Sequence, residues 1–198
     1  MPASQKNFDE YYSHLAQIST LGRVYKKYWM SRILYWNARK LGARIVEVGC
    51  GTGSGILGAY PKRVAGLDIN PRSVEYCQAI GLNAHVIADD GMFPVQDQAF
   101  DVCVLDNVME HIEEPQTTLD ECHRITSAHG GLVIAVPGKR GYDSDPDHKR
   151  FYAQADLRQL DARWQLQSLF AAPLGFASEA LSNSVRQYCL VATYRKVG

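Results

Sequence analysis

Between residues 44 and 137 short apolar runs alternate with segments of helical spacing. RIVEV (44–48) predicts a first strand, RVAGLDI (63–69) a second, NAHVIAD (83–89) a third, FDVCVLD (100–106) a fourth and GLVIAVP (131–137) a fifth. The segments between them carry helix punctuation. A glycine-rich stretch leads into a helix to about Tyr60. Asn70 is placed as an N-cap, Pro71 at the first helical position and Gly81 just past the end of the next helix. Pro115 opens a further helix, with Leu119, Cys122 and Ile125 on one face. Strands that alternate with helices imply right-handed crossovers and a parallel sheet. The unbroken apolar character of Val102–Leu105 and Leu132–Val136 predicts strands covered on both faces.

The two ends of the chain differ from this middle. After a helix around Gln154–Asp161, strand-like runs at Gln165–Ala171 and Gln187–Tyr194 are separated by loop and turn residues with no helical pattern. They predict an antiparallel hairpin at the end of the sheet. Residues 1–43 hold Phe8, Tyr11, Tyr12, Tyr25, Tyr28, Trp29, Tyr35 and Trp36. Leu21, Tyr25, Tyr28 and Arg32 recur at helical spacing, which predicts one or two helices. The expected organisation is therefore a helical N-terminal segment, 1–43, followed by one α/β domain, 44–198. The segment is read either as a layer packed on the sheet or as a lid over the site. Its seven basic residues against two acidic ones leave a membrane-surface role as a lesser option.

Composition narrows the partners. Twenty-one basic side chains balance twenty-one acidic ones, which disfavours a nucleic-acid partner. No signal-peptide pattern and no apolar run of ~20 residues is present, so a cytoplasmic protein without an integral membrane segment is expected. Cysteines 50, 77, 103, 122 and 189 are scattered and form no CxxC pair. They are read as reduced thiols, and no metal is expected.

VEVGCGTGSG (46–55) is the most informative stretch. In an open α/β sheet, ligands sit beyond the carboxyl ends of the strands, and this loop follows the first strand. Glycine admits positive φ and lets a ligand touch bare backbone. The dinucleotide spacing G-x-G-x-x-G fails, because the third glycine falls on Ser54 or Ile56. A pyrophosphate would also be opposed by Glu47. A cationic, phosphate-free ligand fits better, and S-adenosylmethionine meets that requirement. Asp68 ends the second strand, where a carboxylate can accept from ribose hydroxyls, although a nicotinamide site would want the same residue. Asp89 and Asp90 end the third strand, placed for an adenine amino group or, alternatively, for a turn.

VEVGCGTG (46–53), LDIN (67–70), the aspartate after the third strand, FPVQDQAFDVCVLDNVMEHI (93–112), ECHRI (121–125) and GLVIAVPG (131–138) resemble, in order and spacing, a class I S-adenosylmethionine-dependent methyltransferase of the small-molecule, methyltransferase-domain-11 type. The resemblance implies a Rossmann-like sheet of order 3-2-1-4-5-7-6 with strand 7 antiparallel and helices on both faces. It implies that the loop carrying Gly49, Cys50, Gly51 and Gly53, with Glu47 nearby, holds the methionine end of the cofactor. Asp68 and Ile69 would contact the ribose and its surroundings, Asp89 the adenine amino group, with Asp90 beside it, and Asn107 would lie near the sulfonium. One departure is SAHGG (127–131), where the family usually has Lys-Pro-Gly-Gly.

The reaction implied is methyl transfer to an oxygen or nitrogen of a small-molecule acceptor. A hydroxyl acceptor needs a base, which is worth ~10²–10⁴-fold. The candidates are His111, in MEHIEEP, and His148, in GKRGYDSDPDHKRFY (138–152). For His111 a structural role capping the next loop is the rival, and for His148 a solvated loop. Arg150 and Tyr142 are candidates for binding an anionic or hydroxylated acceptor. An NAD(P)-dependent oxidoreductase and a cofactor-binding module without catalysis remain alternative functions.

Overall fold

Strand β1 (Ile45–Val48) is buried along its whole length. In this computed structural model, which describes residues 26–172 and 175–197, it pairs in parallel with β2 (Val64–Asp68) on one side and β4 (Phe100–Asp106) on the other. β3 (Ala84–Val86) lies beyond β2, and β5 (Thr126–Pro137) lies beside β4. β7 (Cys189–Lys196) runs antiparallel between β5 and the outer strand β6 (Trp164–Ala172). The order is β3-β2-β1-β4-β5-β7-β6, the arrangement expected, with the terminal hairpin in place.

Alternation along the strands divides the core in two. Val46, Val48, Leu67, Cys103, Leu105, Leu132 and Ile134 face α4 (Gln116–Ile125) through Leu119, Cys122 and Ile125. Ile45, Val64, Val102, Val104, Val133 and Ala135 face the opposite layer. That layer is α1 (Ser31–Leu41), α2 (Ile56–Ala59) and α3 (Pro71–Ala79). Three further short helices, α5 (Lys139–Tyr142), α6 (Gln154–Arg158) and α7 (Glu179–Ser184), complete the elements that bear on the site.

Capping explains α3: Asn70 Oδ1 accepts from the backbone N–H of Arg72 at 3.0 Å and of Ser73 at 3.4 Å, with Pro71 in the first turn. The helix after the glycine loop is only one turn, shorter than expected. Pro61 disfavours helical geometry at Tyr60, which leaves the helix at φ −135°. β3 stops at Val86, three residues early, because Gly91 (φ 82°) closes a turn back onto Ala88. β5 begins at Thr126, and SAHGG forms a wide bulge, with Phe100 paired to Thr126 and Val102 to Gly131. The loop expected between β6 and β7 contains α7. That helix buries none of its residues, so no apolar stripe announces it, but Ser178 Oγ caps it from Leu181 N–H.

Of the aromatic N-terminal segment, Phe8, Tyr11, Tyr12, Leu21 and Tyr25 lie outside the described residues. Its described end is a wide helical turn, Lys26–Met30, that runs into α1. α1 buries Leu34, Tyr35 and Ala38, and the Tyr35 ring stacks on Tyr60 with centroids 3.7 Å apart. Among the described residues no helix is long and apolar enough to cross a membrane.

Candidate cofactor and acceptor site

β2 lies on one side of β1 and β4 on the other, so a crevice opens where the strand order reverses, at their carboxyl ends. The loop 49–55 sits there. Gly49, Gly51 and Gly53 have φ of 74°, 51° and 72°, a region that side chains rarely adopt. At Gly49 space is also a constraint, since a Cβ would fall 2.4 Å from Val108 Cγ2. The N–H groups of Gly49 and Cys50 both donate to the Leu67 carbonyl, at 2.7 and 3.1 Å, which anchors the loop to the end of β2.

Two buried carboxylates hold this loop from below. Asp68 Oδ2 accepts from Gly51 N–H at 2.6 Å, and its Oδ1 accepts from Asn70 N–H at 2.8 Å. Burial pushes the Asp68 carboxyl above its ordinary range, and the two backbone donors oppose that shift. Glu47, 2% exposed, accepts from Ile56 N–H at 3.3 Å through Oε1 and from Leu57 N–H at 2.8 Å through Oε2. Its charge therefore meets the open N–H groups at the start of α2. The sequence placed Glu47 beside a cationic ligand; the structure gives it a role in building the loop.

Cys50 is buried, and its hydrogen bond with Cys77, together with burial, pushes its thiol well above the usual range. The Cys77 thiol donates to the Gly51 carbonyl at 3.3 Å. Ile69, next to Asp68, is 63% exposed, an apolar surface beside a carboxylate at the mouth of the crevice. Asp89 and Asp90 are exposed on the loop after β3, and Asp90 Oδ1 accepts from Met92 N–H at 2.9 Å in a local turn. Asn107 follows β4 at φ 54°, which asparagine tolerates better than most residues. Its N–H donates to the Ala135 carbonyl at 2.9 Å, and its Nδ2 donates to Asp106 Oδ1 at 2.8 Å.

The histidine candidates, distant in sequence, converge. The His111 and His148 ring centroids are 4.7 Å apart, and Tyr142 stacks on His148 at 5.2 Å. His148 Nδ1 lies 2.7 Å from the Tyr142 carbonyl oxygen. Burial, reinforced by His148, holds His111 below the ordinary imidazole range. Arg150 is exposed, with its guanidinium 5.1 Å from the Tyr152 ring centroid.

Sequence reasoning missed three contributors. Val108 closes against Gly49, Cys77 supports the loop from α3, and Glu110 is buried beside His148. Glu110 stands next to His111 in the sequence, but its pairing with a residue beyond β5 has no local signature.

A crevice at the switch point, a left-handed glycine loop and a buried carboxylate ending the neighbouring strand together make a candidate cofactor site of the doubly wound α/β type. Residues 46–134 match the model of a family described as a methyltransferase domain. The chain is similar to proteins named as S-adenosylmethionine-dependent methyltransferases. It is 26% identical over 155 residues to a Mycolicibacterium smegmatis protein named a probable S-adenosylmethionine-dependent methyltransferase, covering 70% of this chain and 59% of that one. It is 29% identical over 115 residues to a ubiquinone biosynthesis O-methyltransferase of Xanthomonas oryzae pv. oryzae, covering 53% and 48%. The chain thus spans only about half of each relative's length. A SAM-dependent methyltransferase structure from Thermotoga maritima superposes with a TM-score of 0.71 at 17% identity, covering 96% of this chain and 99% of the other.

Proposed function

We propose that the protein transfers the methyl group of S-adenosylmethionine to an oxygen or nitrogen of a small-molecule acceptor. The observation that carries this reading is the Gly49–Gly53 loop clasped to the buried Asp68, with the exposed Ile69 beside it. Bare N–H and C=O groups suit the amino-acid end of the cofactor, Asp68 suits the ribose hydroxyls, and Ile69 offers an apolar surface to the adenine. Asp89 and Asp90 reach the adenine edge from the loop after β3. The methyl on a sulfonium is already activated, so the protein's task is to place an acceptor lone pair in line with the S–CH₃ bond.

The acceptor enters beyond β5. A cavity of about 450 Å³ there is lined by Lys139, Phe151, Gln154, Ser182 and Tyr188. His111 and His148, on the loops after β4 and α5, are the bases available to a hydroxyl acceptor. The relative named as an O-methyltransferase favours an oxygen acceptor, while a structural neighbour named as an N-methyltransferase keeps nitrogen in the proposal.

Calorimetry with S-adenosylhomocysteine and with NADH tests the cofactor. Binding of the first and not the second is expected; the reverse would return the protein to the oxidoreductases. Incubating acceptor panels with methyl-labelled cofactor then tests transfer.

A further inference from the structure

Three potential ligands from two separate loops meet at one point. Glu110 and His111 follow β4, and His148 follows α5. One ligand atom from each lies within 4.8 Å of the others. We propose that Glu110, His111 and His148 form a binding site for a divalent transition-metal cation of the zinc type.

Ligand orientation is the first argument. His148 Nδ1 lies 2.7 Å from the Tyr142 carbonyl oxygen. A carbonyl only accepts, so Nδ1 carries the proton and Nε2 keeps its lone pair. Nε2 is then directed at the cluster, 3.9 Å from Glu110 Oε1 and 3.9 Å from Asp145 Oδ2. Metal-binding histidines are held in this way, with the second ring nitrogen donating to a carbonyl or carboxylate that fixes tautomer and orientation.

Spacing and charge agree. Two donors at ~2.0–2.1 Å from one tetrahedral zinc lie about 3.4 Å apart. Separations of 3.9 Å are too long for a hydrogen bond but need only small side-chain rotations to meet a shared ion. Glu110 is buried, and Asp145 supplies a second acidic side chain at the cluster. The loops are also tied together, since the N–H groups of Lys149 and Arg150 both donate to the Glu110 carbonyl, at 2.7 and 3.1 Å. The donor positions are thus set by backbone contacts rather than by the ion. Ring packing between His111 and His148 is the plainer alternative, but packing does not require donor atoms to converge.

Two imidazoles and one carboxylate suit zinc, cobalt or iron, whereas magnesium and calcium prefer all-oxygen shells. Three protein ligands leave a fourth tetrahedral position for water or another oxygen ligand. The binding stands without the methyl-transfer reading, and a histidine whose free nitrogen ligates the ion no longer serves as a base; the test uses no substrate.

Chelator-stripped full-length protein is titrated with Zn²⁺ by calorimetry and with Co²⁺ by visible absorption. One equivalent is expected to bind, with a ligand-field spectrum of low coordination number, and excess Mg²⁺ is expected not to compete. His148→Ala and Glu110→Gln should each weaken Zn²⁺ by about 100-fold or more, beyond the 10–100-fold typical of supporting residues. Circular dichroism verifies that the variants are folded. His148→Gln, which is smaller in its effect on the loop, replaces His148→Ala if that variant unfolds. His85→Ala, at an exposed histidine elsewhere, should bind as wild type does. The proposal fails if wild type binds no equivalent of either ion, if folded cluster variants bind unchanged, or if His85→Ala loses as much as His148→Ala.

Discussion

Asp68 and Gly51, seventeen residues apart, are joined by a 2.6 Å hydrogen bond from the Gly51 N–H to the Asp68 carboxylate. The same side chain receives the Asn70 N–H at 2.8 Å, so one buried group ties the glycine loop to the start of α3. Its position at the end of β2 is also that of the proposed ribose acceptor.

Asp68→Ala removes both roles. Charge-assisted hydrogen bonds of this kind are worth about 1–3 kcal/mol. Affinity for S-adenosylhomocysteine, measured by calorimetry, is expected to fall by that amount. Unchanged titration heat in a folded variant would dissociate Asp68 from the cofactor.

Glu47→Gln separates loop construction from ligand attraction. A glutamine keeps one oxygen for the N–H groups of Ile56 and Leu57 and turns an amide toward the other. A buried donor left facing a donor costs about 1–3 kcal/mol. Global stability should therefore fall together with cofactor affinity. A variant of wild-type stability that only binds more weakly would return Glu47 to direct attraction of the ligand.

Much of this architecture was legible in the sequence because its signals are local. The parallel strands read as apolar runs, and Asn70 and Pro71 state the start of α3 outright. The glycine loop was legible because few other uses need that many bare positions. The short helix Glu179–Ser184 was hidden, since none of its residues is fully buried and only Leu181 packs against the core. The contacts of Gly51 with Asp68 and Cys77, and of Glu110 with His148, depend on residues brought together only by the crossovers. The role of Glu47 was hidden for a different reason. Both readings place a carboxylate under the loop, and only geometry shows which donors it meets.

Gly49→Ala tests the loop without touching a polar group. The new methyl would sit 2.4 Å from Val108 Cγ2 on a backbone at φ 74°. A left-handed non-glycine residue alone costs about 1–3 kcal/mol. A lower melting temperature and loss of S-adenosylhomocysteine binding are expected together. Wild-type stability would mean that the loop is not held in this conformation.

Acid stability has an identifiable contributor away from the site. Asp161 receives Arg163 Nε at 3.0 Å and the Arg163 backbone N–H at 2.8 Å, in the turn that launches β6. These bonds, led by the guanidinium, hold its carboxyl down at about 2. A depressed acid stabilises the fold above its unfolded value of about 3.9, and that contribution is lost as pH falls from about 4 toward about 2. The Arg163 side chain is 36% exposed, so solvent screening reduces the gain to the order of 1 kcal/mol. Asp161→Asn removes the titration. The stability gap between wild type and variant, from urea midpoints, should be about 1 kcal/mol near about pH 6 and roughly half that near about pH 3. A gap that stays constant with pH would show that Asp161 acts through its hydrogen-bond geometry alone, without its charge.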